Sequence, residues 1–202
     1  MEKYDVVIIG GGAAGLSCAL TLSSSKGKFP WAENRKYLVI DDNSSDLLKA
    51  MLNNVPGVKQ GTLGKDLLKI LREQINSYGI TDFIDGRVEE IKGEKGNFTV
   101  KTIDGKEFHG ENVVIATGFH EFSIKGVEVE VVPNPKAPRQ GKIMIKTDEK
   151  NRVKEGVYVA GLLAGTFTMF AAASGSGVEV ACFIMSEWAG KNVVIHDLPD
   201  PN

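Results

Sequence analysis

The chain has 202 residues, a length typical of one large domain rather than two complete ones. Its 24 Lys and Arg and 26 Asp and Glu give a net charge of −2, which argues against a basic surface for nucleic acid or anionic membranes. With 42% hydrophobic and 25% charged residues, the composition is that of an ordinary globular protein. The 23 glycines far outnumber the seven prolines, so they predict specific backbone geometries rather than low complexity.

The first part of the chain predicts a strand, a glycine turn, a helix and a second strand. Tyr4–Ile9 is a short apolar run rich in β-branched residues, which predicts a strand buried on both faces. The small residues of Ala13–Ser24 predict a helix directly after the turn. After a polar loop, Tyr37–Ile40 predicts a second buried strand, and together these elements form a βαβ unit.

The remaining elements follow from hydrophobic spacing and turn residues. In chain order they are a short helical segment at Ser45–Leu52, a helix at Thr62–Tyr78, strands at Phe83–Ile91, Asn97–Thr102, Lys106–His109, Asn112–Ala116 and Val157–Ala160, and a helix at Thr168–Trp188. The Asp104-Gly105 pair favours a hairpin, so we expect a small antiparallel β-meander over about Phe83–His109. Residues 118–156 carry three of the prolines and predict an irregular course.

We therefore expect an α/β fold, a Rossmann-like domain over residues 1–197 with a mostly parallel sheet plus the small antiparallel β-meander. We expect residues 198–202 to form a loose tail. The stretch Gly156–Val178 has no charge and is long enough to cross a bilayer. Its glycines, serines and threonines instead favour a buried strand, a loop and a helix, so we expect no membrane span. No signal peptide is expected before the first strand.

The glycine turn Gly10-x-Gly12-x-x-Gly15 follows a buried strand and opens a helix, which makes it a dinucleotide-binding pattern. Gly10 permits the tight turn, Gly12 lets the backbone approach a pyrophosphate, and Gly15 lets helix and strand pack closely. Asp41 closes the next strand, 26 positions after Gly15, and can accept hydrogen bonds from both hydroxyls of an adenosine ribose. No Gly-Lys-Ser/Thr follows the turn, so a P-loop is excluded.

The carboxylate of Asp41 would repel a 2′-phosphate, so NADP is disfavoured at this turn. NAD and FAD share the ADP half, and the turn alone leaves both open.

Six short segments, in this order and spacing, resemble the FAD-binding half of the thioredoxin reductase family of flavoproteins with two dinucleotide-binding domains. They are the Gly10–Gly15 turn, Asn54-Val55-Pro56-Gly57, Val113-Val114-Ile115-Ala116-Thr117-Gly118, Pro133-Asn134-Pro135, Gly156-Val157-Tyr158-Val159-Ala160-Gly161 and Ala172-Ala173-Ser174-Gly175-Ser176-Gly177. They extend over nearly the whole chain.

The resemblance implies FAD as the cofactor and places it along a defined set of residues. Val88 would offer its backbone to the adenine, and Asn54 would lie near the flavin ring. The N-terminus of the last helix, at Met169 and Phe170, would point at the pyrimidine edge of the flavin. The expected cofactor-binding residues are Gly10, Gly11, Gly12, Ala13, Ala14, Gly15, Asp41, Asp42, Asn54, Val88, Ala116, Thr117, Gly118, Gly161, Leu162, Met169 and Phe170.

Two departures from the family stand out. The family inserts an NAD(P)H-binding domain with a redox-active C-x-x-C between the Ala-Thr-Gly turn and the Pro-Asn segment. Here 14 residues, 119–132, lie between them, too few for a domain. The family also follows Ala-Gly with an Asp that holds the ribityl chain of FAD, where this chain has Leu162. A leucine cannot accept those hydrogen bonds, which weakens the expected hold on FAD.

The remaining reactive residues predict no further site. Cys18 and Cys182 form no C-x-x-C and are expected to be buried, inert thiols, which fits a cytoplasmic protein. The three histidines have no metal-ligand spacing, so no metal is expected. His120 follows the Gly118 turn and could approach the flavin.

Three functions remain open. The first is an FAD-binding oxidoreductase module that takes electrons from, or passes them to, a partner protein or a separate small-molecule donor. The second is a dinucleotide-binding subunit or sensor without turnover, and the third a small NAD-dependent enzyme. A homodimer is possible in each case, and no residue cluster defines a catalytic group or a substrate pocket.

Overall fold

The computed structural model describes residues 3–197, so the predicted tail at 198–202 lies outside the described residues. The strands are β1 (Lys3–Ile9), β2 (Tyr37–Asp41), β3 (Met51–Leu52), β4 (Thr62–Leu63), β5 (Thr81–Asp85), β6 (Val88–Glu94), β7 (Asn97–Thr102), β8 (Glu107–Ile115), β9 (Val131–Pro133), β10 (Ile143–Ile145), β11 (Arg152–Lys154) and β12 (Val157–Val159). The α-helices are α1 (Ala13–Ser23), α2 (Gly64–Tyr78) and α3 (Phe170–Ala189).

The main sheet has the order β11-β12-β8-β1-β2-β5. Its strands β12, β8, β1, β2 and β5 run parallel, and β11 adds an antiparallel edge. The antiparallel strands β6 and β7 join it through the first half of β8. The expected α/β class, with a mostly parallel sheet and a small meander, is confirmed.

The two faces of the main sheet pack against different layers. On β1, Val6 and Ile8 face a core built with the three α-helices, while Val7 and Ile9 face a core built with the meander and Leu163. Each of these four side chains is at most 3% exposed. Burial on both faces explains why β1 is continuously apolar rather than alternating.

The helices α2 and α3 end where the sequence places glycines. In α2, Leu67, Leu68, Leu71 and Ile75 form the buried stripe, and Gly79 ends the helix at a φ of +66°. Gly190 ends α3 in the same left-handed conformation, which glycine adopts without a Cβ clash. None of the described helices is long and apolar enough to cross a membrane.

The structure corrects the expected elements at four places along the chain. Ser45–Leu52 is a single 3₁₀ turn, Asp46–Lys49, followed by β3, because Met51 and Leu52 pair with β4. Phe83–Ile91 is two strands broken at Gly86-Arg87, and only the second belongs to the meander. The meander therefore begins at Val88 rather than at Phe83.

The other two corrections concern β8 and the segment that follows it. Lys106–His109 and Asn112–Ala116 are one strand, β8, since Gly110 stays in register with both Tyr4 and Phe98. Residues 118–156 are not wholly irregular. They hold the β9–β10 hairpin and the edge strand β11.

Candidate functional site

A cavity of about 640 Å³ opens at the carboxyl ends of β1, β2, β8 and β12, where parallel sheets commonly hold ligands. The backbone ladder continues into its walls: Gly10 N–H donates to Ile40 O at 2.8 Å, and Ala116 N–H donates to Ile9 O at 2.8 Å. Every residue expected from the sequence to bind a cofactor lines this cavity, with the exception of Gly15. Whether these residues bind one remains a prediction.

The glycine turn leaves no room for side chains at two of its three positions. Gly10 has a φ of +110°, and a Cβ there would lie 2.5 Å from Ala116 O. A Cβ on Gly15 would lie 1.9 Å from Gly10 O, so this glycine serves the packing of α1 on the turn. At Gly12 the closest atom to a Cβ is Ser45 Oγ at 3.2 Å. The protein itself therefore leaves Gly12 nearly free, and its backbone faces the cavity.

Two helix N-termini meet the cavity without side-chain caps. Gly12 precedes α1 and Met169 precedes α3, and neither offers a side-chain hydrogen bond to the helix. Both first turns also lack acidic residues. Their free N–H groups and partial positive charge thus face the cavity, an arrangement that favours anionic ligand groups.

Asp41 lies at the end of β2, with its side chain 8% exposed. Its Oδ1 accepts hydrogen bonds from the N–H groups of Gly11 at 3.0 Å and Asn43 at 3.2 Å. Its Oδ2 accepts from Arg72 Nη2 of α2 at 2.5 Å. The neighbouring Asp42 is exposed, and its Oδ1 accepts from the Ser44 N–H at 3.1 Å.

The opposite wall is formed around the 3₁₀ helix Gly161–Ala164, which carries Leu162. Gly161 has a φ of +73°, and its N–H donates to Ser176 Oγ of α3 at 2.9 Å. The Leu162 carbonyl accepts from Asn134 Nδ2 at 3.3 Å, which fixes its backbone. The Leu162 side chain lines the cavity with no acceptor to offer.

At the mouth of the cavity, His120 joins two segments. Its Nε2 contacts Asp46 Oδ2 at 2.8 Å, and its Nδ1 contacts Lys142 Nζ at 2.6 Å. A lysine ammonium can only donate, so Nδ1 accepts and Nε2 carries the proton donated to Asp46. His120 lies in the cavity wall, and its approach to a flavin there stays a prediction.

Further cavity residues lie in the segments that follow the main-sheet strands or precede α3, and the sequence did not single them out. They are Ser44, Ser45, Asp46, Leu47, Ala50 and Leu52 after β2, Gly86 and Arg87 after β5, Glu121, Phe122, Ser123 and Ile124 after β8, and Thr168 before α3. The first group lies between Asp41 and Asn54, both of which were expected at the site. Continuity of the chain was therefore the available signal.

The expectation that both cysteines are buried is correct for Cys18 of α1 and wrong for Cys182 of α3, which is only partly buried. Both are free thiols. Burial raises the pKa of Cys18, and the neighbouring Cys182 raises it further. Burial and then Glu179 raise the pKa of Cys182. Within residues 3–197, no group of His, Cys, Asp or Glu side chains could hold a metal ion.

The family model described as pyridine nucleotide-disulphide oxidoreductase matches residues 4–198, nearly the whole chain. The chain belongs to this family. A thioredoxin reductase of Aquifex aeolicus is 35% identical over 120 residues, covering 59% of this chain and 35% of that protein. A ferredoxin–NADP reductase of Bacillus cereus is 31% identical over 139 residues, covering 66% of this chain and 39% of that protein. The chain thus aligns with less than half the length of these two relatives.

Solved structures of thioredoxin reductases share the fold. A thioredoxin reductase from Gloeobacter violaceus superposes with a TM-score of 0.77 at 18% identity, covering 98% of this chain and 100% of that chain. A ferredoxin-flavin thioredoxin reductase from Clostridium acetobutylicum gives a TM-score of 0.69 at 17% identity. The superposition covers 94% of this chain and 99% of that chain. The resemblance to the FAD-binding half of thioredoxin reductases is therefore confirmed at the level of the fold.

Proposed function

We propose that the chain binds FAD in the 640 Å³ cavity and acts as the flavin-bearing part of a thioredoxin-reductase-like oxidoreductase. The observation that carries this proposal is the convergence of the expected cofactor-binding residues on one cavity. That cavity lies within the range of about 300–1,000 Å³ typical of cofactor clefts. Membership of the oxidoreductase family supports the class of reaction.

The ADP half of FAD would lie on the Gly10–Gly12 turn. The uncapped N-terminus of α1 offers N–H groups to the pyrophosphate, and Gly12 leaves its backbone open to it. Asp41 would accept from the adenosine ribose, and Val88 would contact the adenine with its backbone. These residues fit the group because the donors and the acceptor it needs already face the cavity.

The flavin half would extend toward Leu162 and the N-terminus of α3. Bound FAD would supply electron transfer, and the partial positive charge at Met169 and Phe170 would stabilise negative charge on the reduced ring. Thr117 and Asn54 line the path between the two halves. Leu162 leaves the ribityl chain without a carboxylate acceptor, so this half is held less firmly than in the family.

Electrons would come from, or pass to, a separate donor or a partner protein. Cys18 and Cys182 do not form the family's C-x-x-C, and the raised pKa of each keeps it in the unreactive thiol form at neutral pH. The 14 residues at 119–132 leave no room for a nicotinamide domain at the position where the family inserts one. A homodimer or a second protein could present the donor at the cavity mouth.

The experiment is to purify the protein and measure flavin absorbance, then identify the released cofactor by chromatography. We expect FAD at close to one equivalent, reduction by dithionite, and slow or absent bleaching by NADH or NADPH alone. A colourless protein that binds NAD would contradict FAD and favour the small NAD enzyme. Bound FAD that no donor protein or nicotinamide reduces would favour the sensor without turnover. Fast bleaching saturating at micromolar NADH would remove the need for a partner.

A further inference from the structure

The carboxylate of Asp41 is already partly occupied before any ligand binds. A carboxylate has about four acceptor sites on its two oxygens. In Asp41, the N–H groups of Gly11 and Asn43 take both sites of Oδ1. Arg72 Nη2 takes one site of Oδ2. One acceptor site is left, on Oδ2.

Arg72 is itself held in place. It projects from α2, its side chain is 29% exposed, and its guanidinium lies 5.0 Å above the ring of Phe83 on β5. A Cβ added to Gly11 would lie 2.9 Å from Arg72 Nη2 and 2.3 Å from Asp41 Oδ2. The ion pair therefore lies directly beneath the glycine turn. Arg72 does not line the cavity, so it reaches a ligand only through Asp41.

We propose that Arg72 is a positioning residue that holds Asp41 Oδ2 so that the carboxylate accepts one hydroxyl of the adenosine ribose rather than both. This rests on the proposed function, which places the adenosine beside Asp41. The sequence alone allowed Asp41 to take both hydroxyls, but the three protein donors reduce it to one. In the neighbouring Asp42, the N–H and the hydroxyl of Ser44 take Oδ1, so that only Oδ2 is left to accept from a ligand.

The ion pair between Arg72 and Asp41 also determines the net charge beside the proposed ribose position. Asp41 is nearly buried, and without Arg72 its carboxylate would keep two amide donors but no counterion. Removing one partner of a buried ion pair leaves an uncompensated charge, which disturbs the site. Arginine suits this role because its guanidinium fork fixes the carboxylate's orientation, which a lysine ammonium does less well.

The first arm of the test uses ADP, 2′-deoxy-ADP and 3′-deoxy-ADP, titrated by calorimetry into protein freed of bound flavin. We expect one deoxy analogue to bind about tenfold more weakly than ADP and the other within about twofold of it. Equal losses for both analogues would mean that both hydroxyls find an acceptor at this site and would overturn the inference.

The second arm tests Arg72. We expect Arg72→Met to weaken ADP about tenfold and to bring the two deoxy analogues within about twofold of each other. Arg72→Lys should restore part of the discrimination. Lys69→Met is the matched control, because Lys69 lies on the same helix with its side chain 77% exposed. A purely structural role would lower the melting temperature and leave the discrimination intact, which would contradict the proposal.

The outcomes separate this inference from the proposed function. If the wild type carries FAD but treats the two deoxy analogues alike, the role of Arg72 fails and the flavin assignment stands. If one deoxy analogue binds more weakly than ADP and the other does not, yet the protein never carries flavin, the FAD proposal fails and the positioning role stands. If Arg72→Met does not fold, the wild-type analogues and Arg72→Lys still decide the question.

Discussion

The two ends of the cavity are built on different principles. At the end with the glycine turn, backbone segments pack directly on each other. A Cβ on Gly10 would lie 2.5 Å from Ala116 O, and one on Gly15 would lie 1.9 Å from Gly10 O. At the end with Leu162 the contacts are with side chains or absent: a Cβ on Gly161 would lie 2.7 Å from the Ala14 methyl group, and one on Gly118 would have no atom within 4 Å. Close backbone contacts dictate residue identity, whereas open walls accept substitution. A family can therefore keep its turn while the opposite wall changes.

The largest effect should come from placing a side chain where backbones touch. We expect Gly15→Val to cost about 3 kcal/mol or more in the free energy of unfolding, because its side chain would overlap Gly10 O. Denaturant unfolding followed by circular dichroism measures this. Gly175→Ala is the control: it lies in α3 with open space around its Cβ and should stabilise the protein by about 0.5–1 kcal/mol. Equal stability of both variants would show that the turn is not tightly packed.

Gly12→Val should separate binding from folding. Ser45 alone has atoms within 4 Å of the new Cβ, its hydroxyl oxygen at 3.2 Å, so the fold should persist. The side chain would instead occupy the path proposed for the pyrophosphate, and we expect flavin content to collapse. The ratio of flavin to protein absorbance, with circular dichroism as the check on folding, measures both. Full flavin occupancy in this variant would contradict the proposed placement of FAD.

At the open wall, Leu162→Asp should improve binding. If the ribityl hydroxyls lie within reach, charge-assisted hydrogen bonds of about 1.5–3 kcal/mol should tighten FAD binding about tenfold or more. Leu162 is half-buried, so the new carboxylate keeps contact with water. Titration of flavin-free protein with FAD gives the comparison, and Leu162→Asn, equal in size but neutral, is its control. Weaker binding by the Asp variant would mean that the cofactor lies elsewhere along this wall.

The smallest expected effect concerns the thiols, which lie outside the cavity. A raised pKa lowers the thiolate fraction at a given pH, so Cys18 should resist alkylation at pH 8 until the protein unfolds. Cys182 should react more slowly than a free thiol, because its pKa is also raised. Mass spectrometry after timed iodoacetamide treatment measures both. Rapid modification of Cys18 in the folded protein would contradict its burial and reopen a role in electron transfer.

The same contrast explains what the sequence could predict. The buried strands β1 and β2, the glycine turn and Asp41 were predictable because their geometry admits few residue types. The resemblance to thioredoxin reductases supplied Leu162 and the N-terminus of α3, which composition and spacing alone do not single out. Asp41, Leu162, Met169 and Phe170 all line the cavity.

The misplaced elements were short or depended on distant partners. The helical pattern at Ser45–Leu52 covers a single turn, and pairing of Met51 with Leu63 turns its end into a strand. Lys106–His109 and Asn112–Ala116 were expected as two strands, but a Cβ on Gly110 would lie 2.8 Å from Val7 Cγ2, so this glycine permits close packing within one strand. Arg72 could not be foreseen, since its contact with Asp41 joins residues 31 positions apart through the fold.

The pairing of strand β8 affects how the protein unfolds. One of its edges pairs with β1, while the other is shared by β7 in the first half and β12 in the second. The meander cannot detach without breaking bonds to the strand at the middle of the parallel sheet. We expect the amides of Val113 and Val114 to exchange with deuterium only on global opening, so that heat and denaturant melt both regions in one cooperative transition.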